Sequence, residues 1–150
     1  MAAASSRTTS AHILIVDDNS MGLIARRTVL EELGHRVHTC SSPDEALEQC
    51  DKQRFDVVVT DYKMPKMDGI EFIRELRKQH PAMSVILISG FTDALGLNEA
   101  STGADIVLQK SSNEVGHLIR AVNRLLKRPD KKPAKSQPAN PSSKRTKAAP

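Results

Sequence analysis

The feature that most constrains this 150-residue chain is an alternation of two patterns. Five short apolar runs, at 12–16, 36–40, 55–60, 84–88 and 105–108, are separated by stretches with helical spacing. Runs of this length rich in Val and Ile are too short for buried helices and read as strands. Strands that alternate with helices form βαβ units, so the expected fold class is α/β, a parallel sheet with helices on both faces.

Local signals mark the helices. Asn19 is placed to cap the first, with Met21, Ile24, Ala25, Thr28, Val29 and Leu33 on one expected inner face and Gly34 as the stop. Ser42-Pro43-Asp44-Glu45 opens the second with a cap, a first-turn proline and an acid three residues later, and Ala46, Leu47 and Cys50 face inward. The third buries Ile70, Ile73 and Leu76. Between the last two strands, residues 93–104 contain Gly96 and Gly103. Each glycine costs a helix about 1 kcal/mol relative to alanine, which predicts a short helix there. Ser111-Ser112-Asn113-Glu114 has the form of a capping box for a final helix with an apolar stripe of Val115, Leu118, Ile119, Val122, Leu125 and Leu126.

Charge divides the chain. The formal net charge is +4, but residues 127–150 hold eight basic side chains against one acidic, leaving the first 126 residues at −3. The expected organisation is a flexible N-terminus at 1–10, one domain at 11–128, and a disordered Pro/Lys/Ala/Ser-rich basic tail at 129–150 that cannot bury enough surface to offset chain entropy. The tail lacks interleaved aromatics, so a solvated tail is the favoured reading over a nucleic-acid contact. No stretch approaches the ~20 apolar residues of a membrane span, and no signal-peptide pattern is present. Cys40 and Cys50 have no metal-type spacing and read as small buried hydrophobes of a reduced, cytoplasmic protein.

In a parallel sheet the functional crevice lies beyond the carboxyl ends of the strands. Here those ends carry Asp17-Asp18, Asp61, Ser89-Gly90 and Gln109-Lys110. Carboxylates at ~4 Å and an effective dielectric of ~20 repel by about 4 kcal/mol per pair. A divalent cation offsets that repulsion, and hard oxygen ligands suit Mg²⁺.

Four motifs carry a resemblance: ILIVDD at 13–18, TDYKMPKMDG at 60–69, VILISG at 85–90 and GADIVLQK at 103–110. Over roughly residues 11–127 the chain resembles the receiver domain of response regulators in two-component systems. The resemblance implies a flavodoxin-like three-layer α/β/α sandwich with strand order 2-1-3-4-5. It implies that Asp61 accepts a phosphoryl group, that Asp17, Asp18, Asp61 and the backbone carbonyl of Lys63 hold Mg²⁺, and that Ser89 and Lys110 bind the phosphoryl oxygens. The implied partners are a sensor histidine kinase or phosphotransfer protein and a downstream protein target. Lys63 and Phe91 fall where the family tunes dephosphorylation.

Two positions and the Gly-interrupted fourth-helix region depart from the family pattern. Val107 replaces the usual aromatic switch residue that works with the hydroxyl at Ser89, so the switch is expected to be altered. Ser111 replaces the usual proline after the lysine, so a trans Lys110–Ser111 bond is expected. The alternative is a phosphorylation-independent binding module, but such domains usually lose an acid or the lysine, and this chain retains them all. A haloacid dehalogenase-type phosphatase would carry D-x-D after the first strand, where this chain has an adjacent pair.

Overall fold

The computed structural model describes residues 10–90 and 95–128. In chain order the elements are β1 (His12–Val16), α1 (Ser20–Glu32), β2 (Arg36–Cys40), α2 (Pro43–Lys52), β3 (Val57–Asp61), α3 (Gly69–Gln79), β4 (Ser84–Ser89), α4 (Glu99–Thr102), β5 (Ile106–Gln109) and α5 (Glu114–Lys127). The strands form one sheet in the order β2-β1-β3-β4-β5, every pairing parallel. The expected flavodoxin-like α/β architecture is therefore the observed one. The N-terminal segment expected to be flexible, Phe91 and the tail expected to be disordered lie outside the described residues.

The period-two alternation of strand side chains divides the core into two layers. Leu14, Val16, Val58, Val85 and Leu87 point to one face, where Ala46 and Cys50 of α2 and Phe72, Ile73 and Leu76 of α3 cover them. Ile13, Ile15, Val57, Val59, Ile86 and Ile88 point to the other, under Leu30 of α1 and Leu118, Ala121, Val122 and Leu125 of α5. β3 and β4 are buried along their whole length, as central parallel strands must be. Each fully buried aliphatic side chain contributes about 1.5–3 kcal/mol, so the two layers hold the helices against the sheet mostly through aliphatic burial, with Phe55 and Phe72 the buried aromatics of one layer.

Most helix ends follow the sequence signals. Asn19 accepts hydrogen bonds from the backbone of Met21 and Gly22, and Ser42 from Glu45. Gly34 has the positive φ of +97° that ends α1. α4 spans only Glu99–Thr102, as the two glycines require.

Three local expectations are corrected. The inner face of α1 is not the Met21/Ile24 stripe: Met21 is 77% and Ile24 63% exposed, whereas Arg26 and Leu30 are buried with Leu23 packed beside them. A charged side chain occupies the inner face because it meets two carboxylates there. The expected capping box at 111–114 does not close. Asn113 is the N-cap and makes no side-chain cap bond, and Glu114 turns to Arg26 rather than back to Ser111. In α3, Phe72 is fully buried with Ile73 and Leu76, while Ile70 is half-buried.

Burial also sets proton affinities. Burial, aided by the nearby Glu45 charge, pushes the Cys40 thiol up to about 12, and burial raises Cys50 to about 11. Neither thiol is a reactive thiolate near neutral pH, so iodoacetamide at pH 8 should label neither in the native protein and both after denaturation. His35 is buried, and its Nδ1 accepts the Ala11 N–H at 3.1 Å, a bond that requires the neutral ring. Burial lowers its pKa, with Asp56 pulling weakly the other way. A depressed folded pKa contributes stability that is complete above the unfolded value of ~6.5 and is lost as pH falls through the folded one. Chemical denaturation across that range should show stability falling on acidification, with part of the slope absent in His35→Ala.

Candidate functional site

The carboxyl ends of β1, β3, β4 and β5 meet at one edge of the sheet. Backbone bonds extend the strand ladder past the formal ends: Asp17 N–H donates to Cys40 O at 3.1 Å, Tyr62 N–H to Ile88 O at 2.9 Å and Lys110 N–H to Ser89 O at 2.9 Å. Side chains distant in sequence thereby enter one open pocket of about 500 Å³, lined by Asp17, Asp18, Asn19, Asp61, Lys63, Ser89, Gly90 and Lys110. Every residue proposed from the sequence as a ligand or catalytic group lies on this pocket. Val107 lies outside it, half-buried against the α2/α3 layer.

Asp17, Asp18 and Asp61 each offer a carboxylate oxygen within 4.8 Å of the other two. Asp17 and Asp61 are buried and Asp18 is exposed, so the cluster has a dry floor and a wet mouth. Lys110 Nζ stands 2.8 Å from Asp61 Oδ1. Apart from that ion pair, the buried Oδ1 has no hydrogen-bond partner among the described residues. Burial raises the Asp61 carboxyl above its ordinary range, and Asp17 adds to the rise, while Lys110 and Arg26 oppose it. An anionic pocket with an unsatisfied buried carboxylate oxygen is chemically suited to a hard divalent cation.

The loop after β3 is built for close approach. Asp68 caps α3 through a reciprocal capping box with Glu71. Gly69 donates its N–H to Tyr62 O at 2.7 Å. A Cβ at Gly69 would lie 2.5 Å from Asp61 O and 2.8 Å from Leu87 Cδ1. Only glycine lets α3 start this near Asp61. Lys66, between Pro65 and Met67, has φ +72°, and Met67 N–H donates back to Pro65 O across it. Such a turn on a non-glycine residue is strained, and strain of this kind gathers at functional loops.

Arg26 was missed as a residue of the site, and its partner Glu114 was read only as part of a helix cap. Arg26 is 4% exposed, with Nη1 2.7 Å from Asp17 Oδ2 and Nε 2.7 Å from Glu114 Oε2. The signal was present but outweighed: Arg26 lies between Leu23 and Leu30 at helical spacing, beside a competing apolar stripe. The Lys110–Ser111 bond is trans, as expected, since no cis peptide occurs among the described residues.

The profile of the response regulator receiver domain matches residues 13–123. The chain belongs to that family. Among curated proteins, it is 40% identical over 94 residues to the hydrogenase transcriptional regulatory protein HoxA of Cupriavidus necator, covering 60% of this chain and 19% of that one. It is 33% identical over 118 residues to the alkaline phosphatase synthesis transcriptional regulatory protein PhoP of Bacillus subtilis, covering 75% of this chain and 48% of that one. The chain thus spans at most about half the length of these two relatives. Among solved structures, a Francisella response regulator receiver domain superposes with a TM-score of 0.71 at 31% identity, covering 79% of this chain and 98% of that one. The Thermotoga maritima response regulator TrrA, solved in complex with Mg²⁺-BeF, superposes with a TM-score of 0.70 at 29% identity over 77% of this chain and 98% of that one.

The glycine contact yields a direct test. Gly69→Ala forces the α3 start away from β3 and should cost roughly 1–3 kcal/mol, as overpacking does, measured by urea denaturation. A cost below a few tenths of a kcal/mol would mean that the approach to Asp61 O is not tight.

Proposed function

We propose that this receiver domain accepts a phosphoryl group on Asp61, from a phosphohistidine of a sensor kinase or phosphotransfer protein, with Mg²⁺ in the acidic pocket. The observation that carries the reading is the convergence of three carboxylates within 4.8 Å, with Lys110 beside one of them. In this reading an Asp61 carboxylate oxygen attacks phosphorus, the phosphorus–nitrogen bond of the donor breaks, and an acyl phosphate forms. Phosphoryl transfer needs positioning and neutralisation of charge more than covalent help. The carboxylates of Asp17, Asp18 and Asp61 and the Lys63 carbonyl would hold the cation, which, when bound, supplies neutralisation of the phosphoryl oxygens. Lys110 supplies a second positive charge at the same oxygens. Ser89, buried at the end of β4, offers a hydroxyl to the bound phosphoryl group.

Signalling is proposed to proceed by protein–protein contact with a downstream target, from a cytoplasmic location. Among the described residues no helix is long and apolar enough to cross a membrane. The switch is proposed to differ from that of relatives with an aromatic ring at position 107. Val107 presents no ring to turn inward, and its backbone N–H is held by Glu99 Oε2 at 3.0 Å. The domain is proposed to comprise residues 11–128.

Intact-mass spectrometry after incubation with acetyl phosphate and Mg²⁺ tests the reading. The wild-type chain should gain one phosphoryl group, and both Asp61→Asn and omission of Mg²⁺ should reduce the gain at least ~100-fold, as expected for loss of a nucleophile or of its electrostatic partner. Undiminished phosphorylation of Asp61→Asn would refute the assignment, and retention without any divalent ion would refute the role of Mg²⁺.

A further inference from the structure

We infer that Arg26 is a positioning residue for the acidic pocket: an internal counter-cation that acts through Asp17, weakens the pocket's hold on a divalent ion, and ties its charge to the start of α5 through Glu114. The inference rests on the proposed metal-binding reading and concerns how this chain tunes it.

Three elements meet at Arg26. Arg26 projects from α1, Asp17 stands at the end of β1, and Glu114 is the first residue of α5. The guanidinium bonds Asp17 Oδ2 through Nη1 and Glu114 Oε2 through Nε, both at 2.7 Å. The other Asp17 oxygen, Oδ1, accepts the Asn19 N–H at 2.9 Å. Both oxygens of a buried pocket carboxylate are therefore engaged, one of them by a full positive charge. Gly22 leaves the space for this arrangement, since a Cβ there would stand 2.8 Å from Asp17 Oδ2 and 3.6 Å from Arg26 Nη1.

Stability alone is a poor reason for such a group. A buried ion pair is often matched or surpassed by a well-packed apolar residue of similar size, and Leu23 and Leu30 flank the position. What an apolar side chain cannot supply is charge. Arg26 reduces the net negative charge of the carboxylate cluster and competes with a cation for Asp17 Oδ2. The competition also has a mechanical end. The N-terminus of α5 has no side-chain cap, and Glu114 fastens it to Arg26. A cation that draws Asp17 away from Arg26 changes the guanidinium's hold on Glu114, a route from pocket to α5 that does not pass through position 107.

Calorimetric titration of the full chain with MgCl₂ at pH 8, at fixed ionic strength and without phosphodonor, tests this. Arg26→Met removes a positive charge a few ångströms from the ion and should tighten Mg²⁺ binding by at least about tenfold. Glu114→Gln leaves Arg26 in place but removes its second anion, and should weaken binding by about threefold. Amide shifts at residues 114–117 on Mg²⁺ addition should appear in the wild type and shrink in Glu114→Gln. A side chain with only a packing role would alter stability in these variants and leave affinity unchanged. That result, or changes of the same sign in both variants, would overturn the inference. Should Arg26→Met fail to fold, Glu114→Gln decides alone: unchanged or tighter binding refutes. If the wild type itself binds no Mg²⁺, the metal-binding reading fails, and this inference with it.

Discussion

Charge crowding at the carboxyl edge of the sheet is the constraint around which the molecule is arranged. Three aspartates bring carboxylate oxygens within 4.8 Å of one another, two of them from residues otherwise shielded from water. Isolated, that arrangement would open the fold or force protons onto the acids. Two cations prevent it: Lys110 beside Asp61 and Arg26 beside Asp17. The dry two-layer core makes the crowding possible, because β1, β3 and β4 are clamped in register and their ends cannot drift apart. A divalent ion, under the proposed reading, would complete a balance that these two side chains begin.

The same edge explains features that look unrelated in sequence. Gly69 is needed because α3 begins against Asp61, and Gly22 because α1 passes against Asp17. The Asp68 capping box fixes the first turn of α3, so the loop from Tyr62 to Asp68 is held at both ends. On the far side of the sheet, Arg77 pairs with Asp105, whose carboxylate also accepts the Val85 N–H at 2.8 Å, tying α3 to the starts of β4 and β5. The pocket edge is thus braced from the amino ends of the strands, and β5, the outermost strand beside β4, has its Val107 N–H covered by Glu99 rather than left for another chain.

The parallel sheet and the convergence of acids were legible because they rest on strong local signals: β-branched runs, a Pro/Asp/Gly loop and polar residues at run ends; the strand order came only with the family resemblance. The short α4 was legible from Gly96 and Gly103. What escaped was the inner face of α1. Two stripes competed there, and the more apolar one, with Met21 and Ile24, lost to the one holding Arg26. Periodicity ranks faces by hydrophobicity and cannot register two carboxylates waiting on the other side, one of them 88 positions away. The failed capping box at Glu114 has the same cause. Its local partner was outcompeted by a buried guanidinium, a tertiary contact that no local motif reports.

The central claim is that Asp17, Asp18 and Asp61 share one divalent ion. Thermal unfolding of the full chain against Mg²⁺ concentration, at constant ionic strength, tests it most directly. Binding to the folded state alone raises the midpoint in step with the logarithm of ion concentration once the site saturates. The account predicts that rise for the wild type and its near-loss when Asp18, the exposed member of the cluster, is changed to Asn. An equal rise in Asp18→Asn, or a wild-type midpoint indifferent to Mg²⁺, would contradict it.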